Sequence, residues 1–310
     1  MSIQTINSRN GFYGIWPAML TPLDASLNID HAKFAAHAKS LMEAGCGGVT
    51  IFGTTGEGPS FSLSERKEAL TQMIANGVPA ERIMVSTSCA ALVETTELTQ
   101  HAVDLGVHGC LVLPPFFFKG VSDEGVINGY AQVIEGVNRQ NWRLYLYHIP
   151  QVIGVPLSHA VISELIRRYP HIIVGIKDSG CDQAHSVALA KAFMPPLTVY
   201  VGFEPDLTTL GPLGSTGAIS GLANFMPRVV HRMVLASTAE STPKDAQRIQ
   251  AILELLKPHS LMPALKGVMA TLTQDLSWLR VRAPLVAMSP ESYAKFAKEV
   301  DAFKVDAHHE

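Results

Sequence analysis

The stretch HIIVGIKDSG (residues 171–180) is an apolar run of strand-forming residues that ends in a lysine, Lys177. Near-continuous apolar strands are typical of parallel sheets that are covered on both faces. Such a strand would carry Lys177 into the protein interior, where an unpaired ammonium group costs several kcal/mol. Burial lowers the pKa of a lysine, and a neutral amine can attack a ketone to form a Schiff base. The alternative is a lysine whose ammonium group reaches water from the strand end.

Seven further runs of strand-forming residues occur along the chain, and segments with helical periodicity lie between them. These runs are GIWPAML (14–20), GGVTIFG (47–53), RIMVSTS (82–88), GCLVLPP (109–115), RLYLYHIP (143–150), LTVYVGF (197–203) and TGAISGL (216–222). Eight apolar strands that need cover on both faces predict an α/β fold, a (β/α)₈ TIM barrel, rather than an open sheet.

The helical segments begin at polar residues that suit helix caps. One helix is expected between Asp30 and Gly45, and others from Ser64, from about Leu92, and from Ser122, Ser158 and Asp182. After the last strand, helical periodicity appears around residues 229–239, 245–256, 261–272 and 291–302. We therefore expect a barrel over residues 1–225 and a C-terminal helical extension, packed on the barrel, over residues 226–310.

Composition limits the partners. The chain has 310 residues, a formal net charge of −3 and no Lys/Arg-rich stripe, so neither nucleic acid nor an anionic membrane is an expected partner. It shows no secretory signal and no apolar run of about 20 residues, which favours a cytoplasmic protein. Hydrophobic residues make up 47% and charged residues 16%, a balance that favours oligomer contacts as well as a core. Four widely spaced cysteines without a CxxC pair indicate free thiols rather than a zinc site or disulfides.

Reactive groups of a (β/α)₈ barrel collect at the C-terminal ends of the strands. At these positions the sequence places Gly53, Thr54, Thr55, Tyr147, His148, Lys177, Ser179, Gly202, Glu204, Ile219 and Ser220. The run GTTGEGPSFS (53–62) combines two threonine hydroxyls with glycines that allow tight or left-handed backbone, and so suits a carboxylate. Alternatively it is a simple turn. Tyr147 lies on the strand before that of Lys177 and can shuttle protons there, although core packing is the common role of a strand tyrosine.

These residues resemble a known family, the class I pyruvate-dependent aldolases that include dihydrodipicolinate synthase, N-acetylneuraminate lyase and 2-keto-3-deoxygluconate aldolase. The resemblance covers essentially the whole chain and rests on GGVTIFGTTGEGPSFSLSE, YHIP, IVGIKDS, GAISGLAN and VRAPL. It implies that Lys177 forms the imine, that Tyr147 is the general acid/base, and that Thr54 and Thr55 bind the carboxylate and relay protons. It also implies that Ser179 and Ser220 contact the distal part of the substrate, and that the protein is a homodimer or homotetramer.

Departures from the family pattern bear on the substrate. Members that make dihydrodipicolinate carry an arginine shortly after the tyrosine motif, where this chain has Val152 and Ile153. They also insert a partner tyrosine where this chain has Phe117, which cannot pass a proton. Lysine biosynthesis is therefore not expected. His148 replaces the usual asparagine and either binds substrate hydroxyls or packs against a neighbour. Of the acidic pair that sialic-acid lyases use for the polyhydroxylated tail, only Glu204 remains.

Other residues near the mouth have two interpretations. Lys119, Lys266 and Arg282 either attract an anionic substrate or form salt bridges, and Phe116 to Phe118 line a subunit contact or roof the pocket.

The expected function is a lyase that cleaves or forms a 4-hydroxy-2-oxo acid, of the 2-keto-3-deoxy sugar acid type, with pyruvate as the imine partner and an aldehyde as co-product. No metal and no organic cofactor is expected, because the imine on Lys177 is itself the electron sink. The alternatives are a keto-deoxy-sugar-acid dehydratase, an enzyme like N-acetylneuraminate lyase or dihydrodipicolinate synthase, and a non-catalytic barrel that binds 2-oxo acids.

Overall fold

Eight short parallel strands form the centre of the protein. The structure, a computed structural model, describes residues 14–195, 197–235 and 243–305. The strands are β1 Gly14–Ile15, β2 Val49–Ile51, β3 Ile83–Ser86, β4 Gly109–Val112, β5 Leu144–His148, β6 Ile173–Asp178, β7 Thr198–Val201 and β8 Gly217–Ala218. Each of the eight predicted runs contains one of them, because apolar residues covered on both faces form parallel strands.

The strands pair in the order β1-β8-β7-β6-β5-β4-β3-β2. The segment that follows β1 meets β2 through a parallel bridge between Ala18 and Thr50, and the amide of Met19 donates to Thr50 O at 2.9 Å. The sheet therefore closes on itself, which confirms the predicted TIM barrel. The first and last strands are shorter than predicted: Pro17 has no amide hydrogen to donate, and β8 gives way to a 3₁₀ turn at Leu222–Asn224.

Twelve α-helices lie in the described part of the chain. They are α1 His31–Glu43, α2 Leu63–Ala75, α3 Leu92–Asp104, α4 Asp123–Gly136, α5 Pro150–Ile153, α6 His159–Arg168, α7 Gln183–Phe193, α8 Leu207–Leu210, α9 Pro227–Leu235, α10 Pro243–Leu256, α11 Leu261–Thr273 and α12 Pro290–Phe303. None of the helices in these segments combines the length and apolar composition that crossing a bilayer requires.

The predicted helix caps are mostly confirmed. The side chains of Asp30, Ser122, Ser158 and Asp182 accept hydrogen bonds from backbone amides in the first turns of α1, α4, α6 and α7. The second helix starts before the predicted Ser64, because Ser62 is its cap and forms a reciprocal capping box with Glu65.

The C-terminal helices lie close to their predicted bounds. Three of the four, α9, α10 and α12, begin at a proline, which is well suited to the first helical position. Part of the segment predicted at 229–239 falls outside the described residues. Helix α9 contacts β1 and β8, and α11 reaches the loops above the barrel through residues described below.

Candidate active site

Two neighbouring strands place the central pair of side chains. In the parallel pairing of β5 with β6, Tyr147 is the register partner of Lys177, and His148 is the partner of Asp178. Register partners point to the same side of a sheet and successive residues point to opposite sides. The rings of Tyr145 and Tyr200 contact each other inside the barrel, with centroids 5.8 Å apart. Tyr147 and Lys177 lie on the same side of the sheet as Tyr145 and Tyr200. Both therefore face the lumen, near its C-terminal mouth.

Lys177, Tyr147 and Thr54 form a chain of polar atoms. Lys177 Nζ lies 3.3 Å from Tyr147 Oη, which in turn lies 3.3 Å from Thr54 Oγ1. Lys177 Nζ also lies 4.5 Å from the centroid of the tyrosine ring. Lys177 is only 5% exposed, and no carboxylate of the described residues forms an ion pair with it. The structure thus joins an amine, a phenol and a hydroxyl across the barrel from β5 and β6 to the loop after β2.

The loop after β2 is folded by tight backbone packing. Its left-handed residues are Phe52, with φ 58°, and Glu57, with φ 56°, and not the glycines. The glycines instead allow close approach: a Cβ on Gly58 would lie 1.9 Å from Phe52 O, and one on Gly56 would lie 2.7 Å from Met19 O. A bulky residue such as phenylalanine at positive φ is uncommon and costs of the order of 1–3 kcal/mol. Strain of this kind often marks functional sites.

Thr55 occupies a different position from Thr54 in this loop. Both side chains are partly exposed, but the hydroxyl of Thr55 lies beside Gly221, at the turn that follows β8. A Cβ placed on Gly53 would meet no atom within 4 Å, so the backbone of the loop borders open space. Thr54 is therefore the threonine in the polar chain, and Thr55 is free to contact a bound anion.

The ends of β6, β7 and β8 meet beside this space. Ser179 packs against Gly202 so closely that a Cβ on that glycine would lie 1.8 Å from Ser179 Oγ. The amide of Ile219 donates to Val201 O at 3.0 Å, and the side chain of Ile219 is fully buried. Gly202 is required here because any side chain would displace the serine.

Glu204 and Ser220 are hydrogen-bonded to each other. Ser220 Oγ donates to Glu204 Oε1 at 2.5 Å, and the amide of Leu222 approaches the same oxygen at 3.4 Å. Both residues are buried. The carboxylate that was expected to meet the substrate tail thus stabilises the turn after β8.

His148 lies outside the lumen. Its ring stacks on His185 of α7, with centroids 4.4 Å apart and an interplanar angle of 17°, and Nδ1 accepts a hydrogen bond from the Leu157 amide at 3.1 Å. Strand alternation explains the position, since Tyr147 next to it points inward. Of the two interpretations of His148, packing against a neighbour matches the structure, which does not bring this residue to the other site residues.

One group of possible metal ligands was not visible in the sequence. Ligand atoms of His148, Asp178 and His185 lie within 4.8 Å of one another. Because His148 Nδ1 accepts the Leu157 N–H, the neutral ring carries its proton on Nε2 and cannot offer that nitrogen to a metal. Stacked rings also direct their in-plane lone pairs side by side rather than at one ion. The donor set therefore does not suit a metal.

The three cations near the mouth are held by protein groups. Lys119 donates to the carbonyls of Phe116 and Ile153, and Lys266 forms an ion pair with Glu57. Arg282 forms a two-point ion pair with Glu65 and lies over the ring of Phe61. This guanidinium lowers the pKa of Glu65 to about 2.

Glu57 was missed by the sequence analysis, although a charged residue between two glycines of a buried loop was a usable signal. The aromatic triplet after β4 leaves two rings exposed, Phe117 and Phe118, which contact each other edge to face at 5.3 Å.

The chain is similar to known proteins over most of its length. A profile of the dihydrodipicolinate synthetase family matches residues 11–303. The chain is 34% identical to an uncharacterized DapA-like lyase of Chloroflexus aurantiacus, over 91% of this chain and 93% of the relative. It is 30% identical to YagE of Escherichia coli, named a putative 2-dehydro-3-deoxy-D-gluconate aldolase, over 81% of this chain and 82% of YagE.

Solved structures show the same architecture. The crystal structure of dihydrodipicolinate synthase from Agrobacterium tumefaciens superposes with a TM-score of 0.87 at 33% identity, covering 94% of this chain and 99% of that one. A structure of YagE in complex with pyruvate superposes with a TM-score of 0.84 at 25% identity, covering 95% and 99%.

Proposed function

Because this chain belongs to the dihydrodipicolinate synthetase family, lyases of the class I aldolase type, we propose that it cleaves or forms a 4-hydroxy-2-oxo acid through an imine on Lys177. The products of cleavage are pyruvate and an aldehyde, and the substrate is of the 2-keto-3-deoxy sugar acid type. The observation that carries the proposal is the chain Lys177 Nζ, Tyr147 Oη, Thr54 Oγ1, with both steps at 3.3 Å, in the mouth of the barrel.

The first step forms the imine. The amine nitrogen of Lys177 adds to the C2 ketone of the oxo acid, and the resulting carbinolamine loses its hydroxyl as water. Tyr147 is the group within reach of the reacting nitrogen, so it supplies the proton that leaves with this water. The protonated imine that results is electron-poor at C2.

The second step breaks the carbon–carbon bond. A base removes the proton of the C4 hydroxyl, and the C3–C4 bond breaks. The electron pair of that bond moves to the imine and gives an enamine. The aldehyde leaves, the enamine is protonated at C3, and water hydrolyses the imine to release pyruvate. The imine is the electron sink, so the reaction requires neither a metal nor an organic cofactor.

The carboxylate of the oxo acid is assigned to the loop after β2. The hydroxyl of Thr55 lies beside Gly221, and a Cβ on Gly53 would meet no atom within 4 Å, so the loop backbone is accessible there. Ser179, Gly202 and Ile219 are proposed as the wall of the substrate pocket at the ends of β6, β7 and β8. Thr54, which contacts Tyr147 Oη, is proposed as the proton relay, a role that the family resemblance implied for Thr54 and Thr55 together.

The aldehyde end distinguishes this chain from dihydrodipicolinate-forming enzymes. Val152 and Ile153 stand where those enzymes carry an arginine, and Val152 is 58% exposed. An apolar side chain cannot bind the second carboxylate of the aldehyde that lysine biosynthesis uses. The similarity to YagE supports a sugar-acid substrate.

We also propose that the protein is a homo-oligomer. Phe117 and Phe118 are 68% and 73% exposed, an apolar pair that a second copy of the chain would cover. Sedimentation velocity tests this proposal, and a monomer at micromolar concentration contradicts it.

Borohydride reduction in the presence of pyruvate tests the imine directly. We expect a stable adduct on the peptide that contains Lys177, detected by peptide mass mapping. The K177A variant should lose both the adduct and the activity, whereas K191A, which changes an exposed lysine of α7, should keep both. Absence of an adduct from the wild-type protein would favour a non-catalytic barrel that binds oxo acids.

Product analysis separates cleavage from dehydration. The protein is incubated with 2-keto-3-deoxy sugar acids, 4-hydroxy-2-oxoglutarate and N-acetylneuraminate, and the products are identified by mass spectrometry. Free pyruvate supports the proposed lyase. A dehydrated oxo acid that retains all its carbons would instead show a dehydratase.

A further inference from the structure

The buried ion pair between Lys266 and Glu57 connects the C-terminal helices to the active-site loop. Both side chains are 0% exposed. Lys266 belongs to α11, and Glu57 follows the Thr54-Thr55-Gly56 turn directly. Lys266 Nζ also donates to Arg280 O at 2.7 Å, while the amide of Arg282 approaches Glu57 Oε2 at 3.4 Å.

The energetics of such a pair indicate a role beyond stability. Burying two charges costs several kcal/mol per ion, and apolar residues of similar volume often stabilise a fold as well or better. Removal of one partner is costly, about 3–5 kcal/mol, because the other charge remains buried. Burial lowers the pKa of Lys266, and the Glu57 carboxylate opposes this shift. The pair therefore fixes a geometry that an apolar contact could not define.

The geometry it fixes is that of the threonine turn. Glu57 has φ 56°, and its amide donates to Thr54 O at 3.1 Å. The amide of Gly58 donates to Gly53 O at 3.2 Å. A left-handed conformation is unfavourable for a glutamate, so it needs support from outside the loop. The carboxylate of Glu57, held by Lys266, gives that support three residues from Thr54 and two from Thr55.

We propose that Lys266 and Glu57 are positioning residues, through which helix α11 holds the hydroxyls of Thr54 and Thr55 in place for the oxo acid. The inference rests on the proposed function of this loop. Neither side chain touches the substrate; both act through the backbone of the turn.

The test measures pyruvate binding separately from stability. Borohydride trapping over a range of pyruvate concentrations gives the half-saturating concentration for the wild type, for E57Q, for K266M and for the double variant E57Q/K266M. We expect half-saturation to rise about tenfold in all three variants, which corresponds to about 1.4 kcal/mol of lost binding. The double variant leaves no unpaired charge buried, so its unfolding midpoint should lie closer to the wild type than those of the single variants.

A matched control comes from another lysine that holds the same part of the chain. Lys33 of α1 pairs with Asp275 and lies over the ring of Trp278, so it ties the segment after α11 to the barrel without contacting the threonine loop. The K33M variant should lose stability and keep the wild-type half-saturation.

The proposal is overturned if E57Q/K266M is folded and binds pyruvate like the wild type, or if K33M weakens binding as much as K266M does. The double variant carries the test even if the single variants do not fold. If the wild-type protein forms no adduct with pyruvate, the proposed function is refuted. If the wild type forms the adduct and the variants reach half-saturation at the same pyruvate concentration, only the positioning role is refuted.

Discussion

Tyr145 and Tyr147 lie two residues apart on the same face of β5, yet their surroundings differ. Tyr145 is fully buried, its hydroxyl is 2.9 Å from His108 Nε2, and its ring contacts Tyr200. Burial raises the pKa of Tyr145. Tyr147 instead has the amine of Lys177 and the hydroxyl of Thr54 as neighbours, each 3.3 Å from its phenol oxygen.

The difference shows how one strand serves both the floor and the mouth of the barrel. In the floor, three aromatic rings and one imidazole, contributed by Trp16, Tyr145, Tyr200 and His108, contact one another in sequence. In the mouth, the partner of Tyr147 comes from a loop whose backbone borders open space. Position relative to the strand end, and not residue type, separates a structural tyrosine from a reactive one.

The largest effect on activity should come from replacing Tyr147 with phenylalanine. The same replacement at Tyr145 is the matched comparison. Y147F removes the proposed general acid/base, and kcat should fall by about 10²–10⁴-fold, the usual contribution of such a group. Y145F removes a buried hydrogen bond to His108 and should cost about 1–3 kcal/mol of unfolding free energy while kcat stays within a few-fold of the wild type. Steady-state kinetics and urea unfolding measure both.

Reversed outcomes would remove the distinction between floor and mouth. If Y145F inactivates the folded enzyme, or if Y147F retains full activity, the proton shuttle does not run through the hydroxyl of Tyr147.

A histidine in the barrel floor, His108, should account for much of the loss of unfolding free energy at acid pH. Burial lowers the pKa of His108 to about 3. The unfolded chain takes up a proton near pH 6.5 that the folded chain refuses, so stability falls as the pH drops from 6.5 towards 3. Between pH 7 and pH 4 this one group should account for about 3 kcal/mol. We expect the loss of unfolding free energy over that interval to be smaller by this amount in H108Q.

Urea unfolding at both pH values measures the difference. His37, whose pKa burial lowers to about 4, keeps its contribution in both proteins and serves as the internal reference. If the pH dependence of unfolding is unchanged in H108Q, then His108 takes up its proton in the folded protein at the same pH as in the unfolded chain.

The smallest effect on activity is expected at His148, which lies one residue from Tyr147 but on the other side of β5. H148Q should leave kcat/KM within about twofold of the wild type. It should reduce the unfolding free energy by about 1–3 kcal/mol, because the buried amide of Leu157 loses its acceptor. A selective rise in KM for the oxo acid would instead place His148 at the substrate.

Much of the architecture was predictable from local pattern. Apolar runs, cap residues and prolines gave the eight strands, the TIM barrel and most helix starts, because these signals act within a few residues. Lys177 and Tyr147 were predictable as mouth residues because the topology sends strand ends to one face. The division at residue 225 and the roles of the individual site residues stay predictions.

The points that the sequence left open concern contacts between distant segments. The glycines of the threonine loop were expected to allow tight or left-handed backbone; they allow the close approach, whereas the left-handed residues are Phe52 and Glu57. Lys266 was expected either to attract an anionic substrate or to form a salt bridge, and the structure confirms the salt bridge, a fully buried pair with Glu57 whose partner the sequence did not identify.

The sequence by itself determined the strands, most of the helices and the position of Lys177 and Tyr147 at strand ends, because hydrophobic periodicity and capping are properties of short segments. Only the tertiary structure decided which threonine meets Tyr147, that His148 faces helix α7, and that α11 holds the active-site loop. Those contacts join residues up to 209 positions apart, as in the pair of Glu57 and Lys266. No local pattern records such distances, since they arise when the barrel closes and the C-terminal helices pack against it.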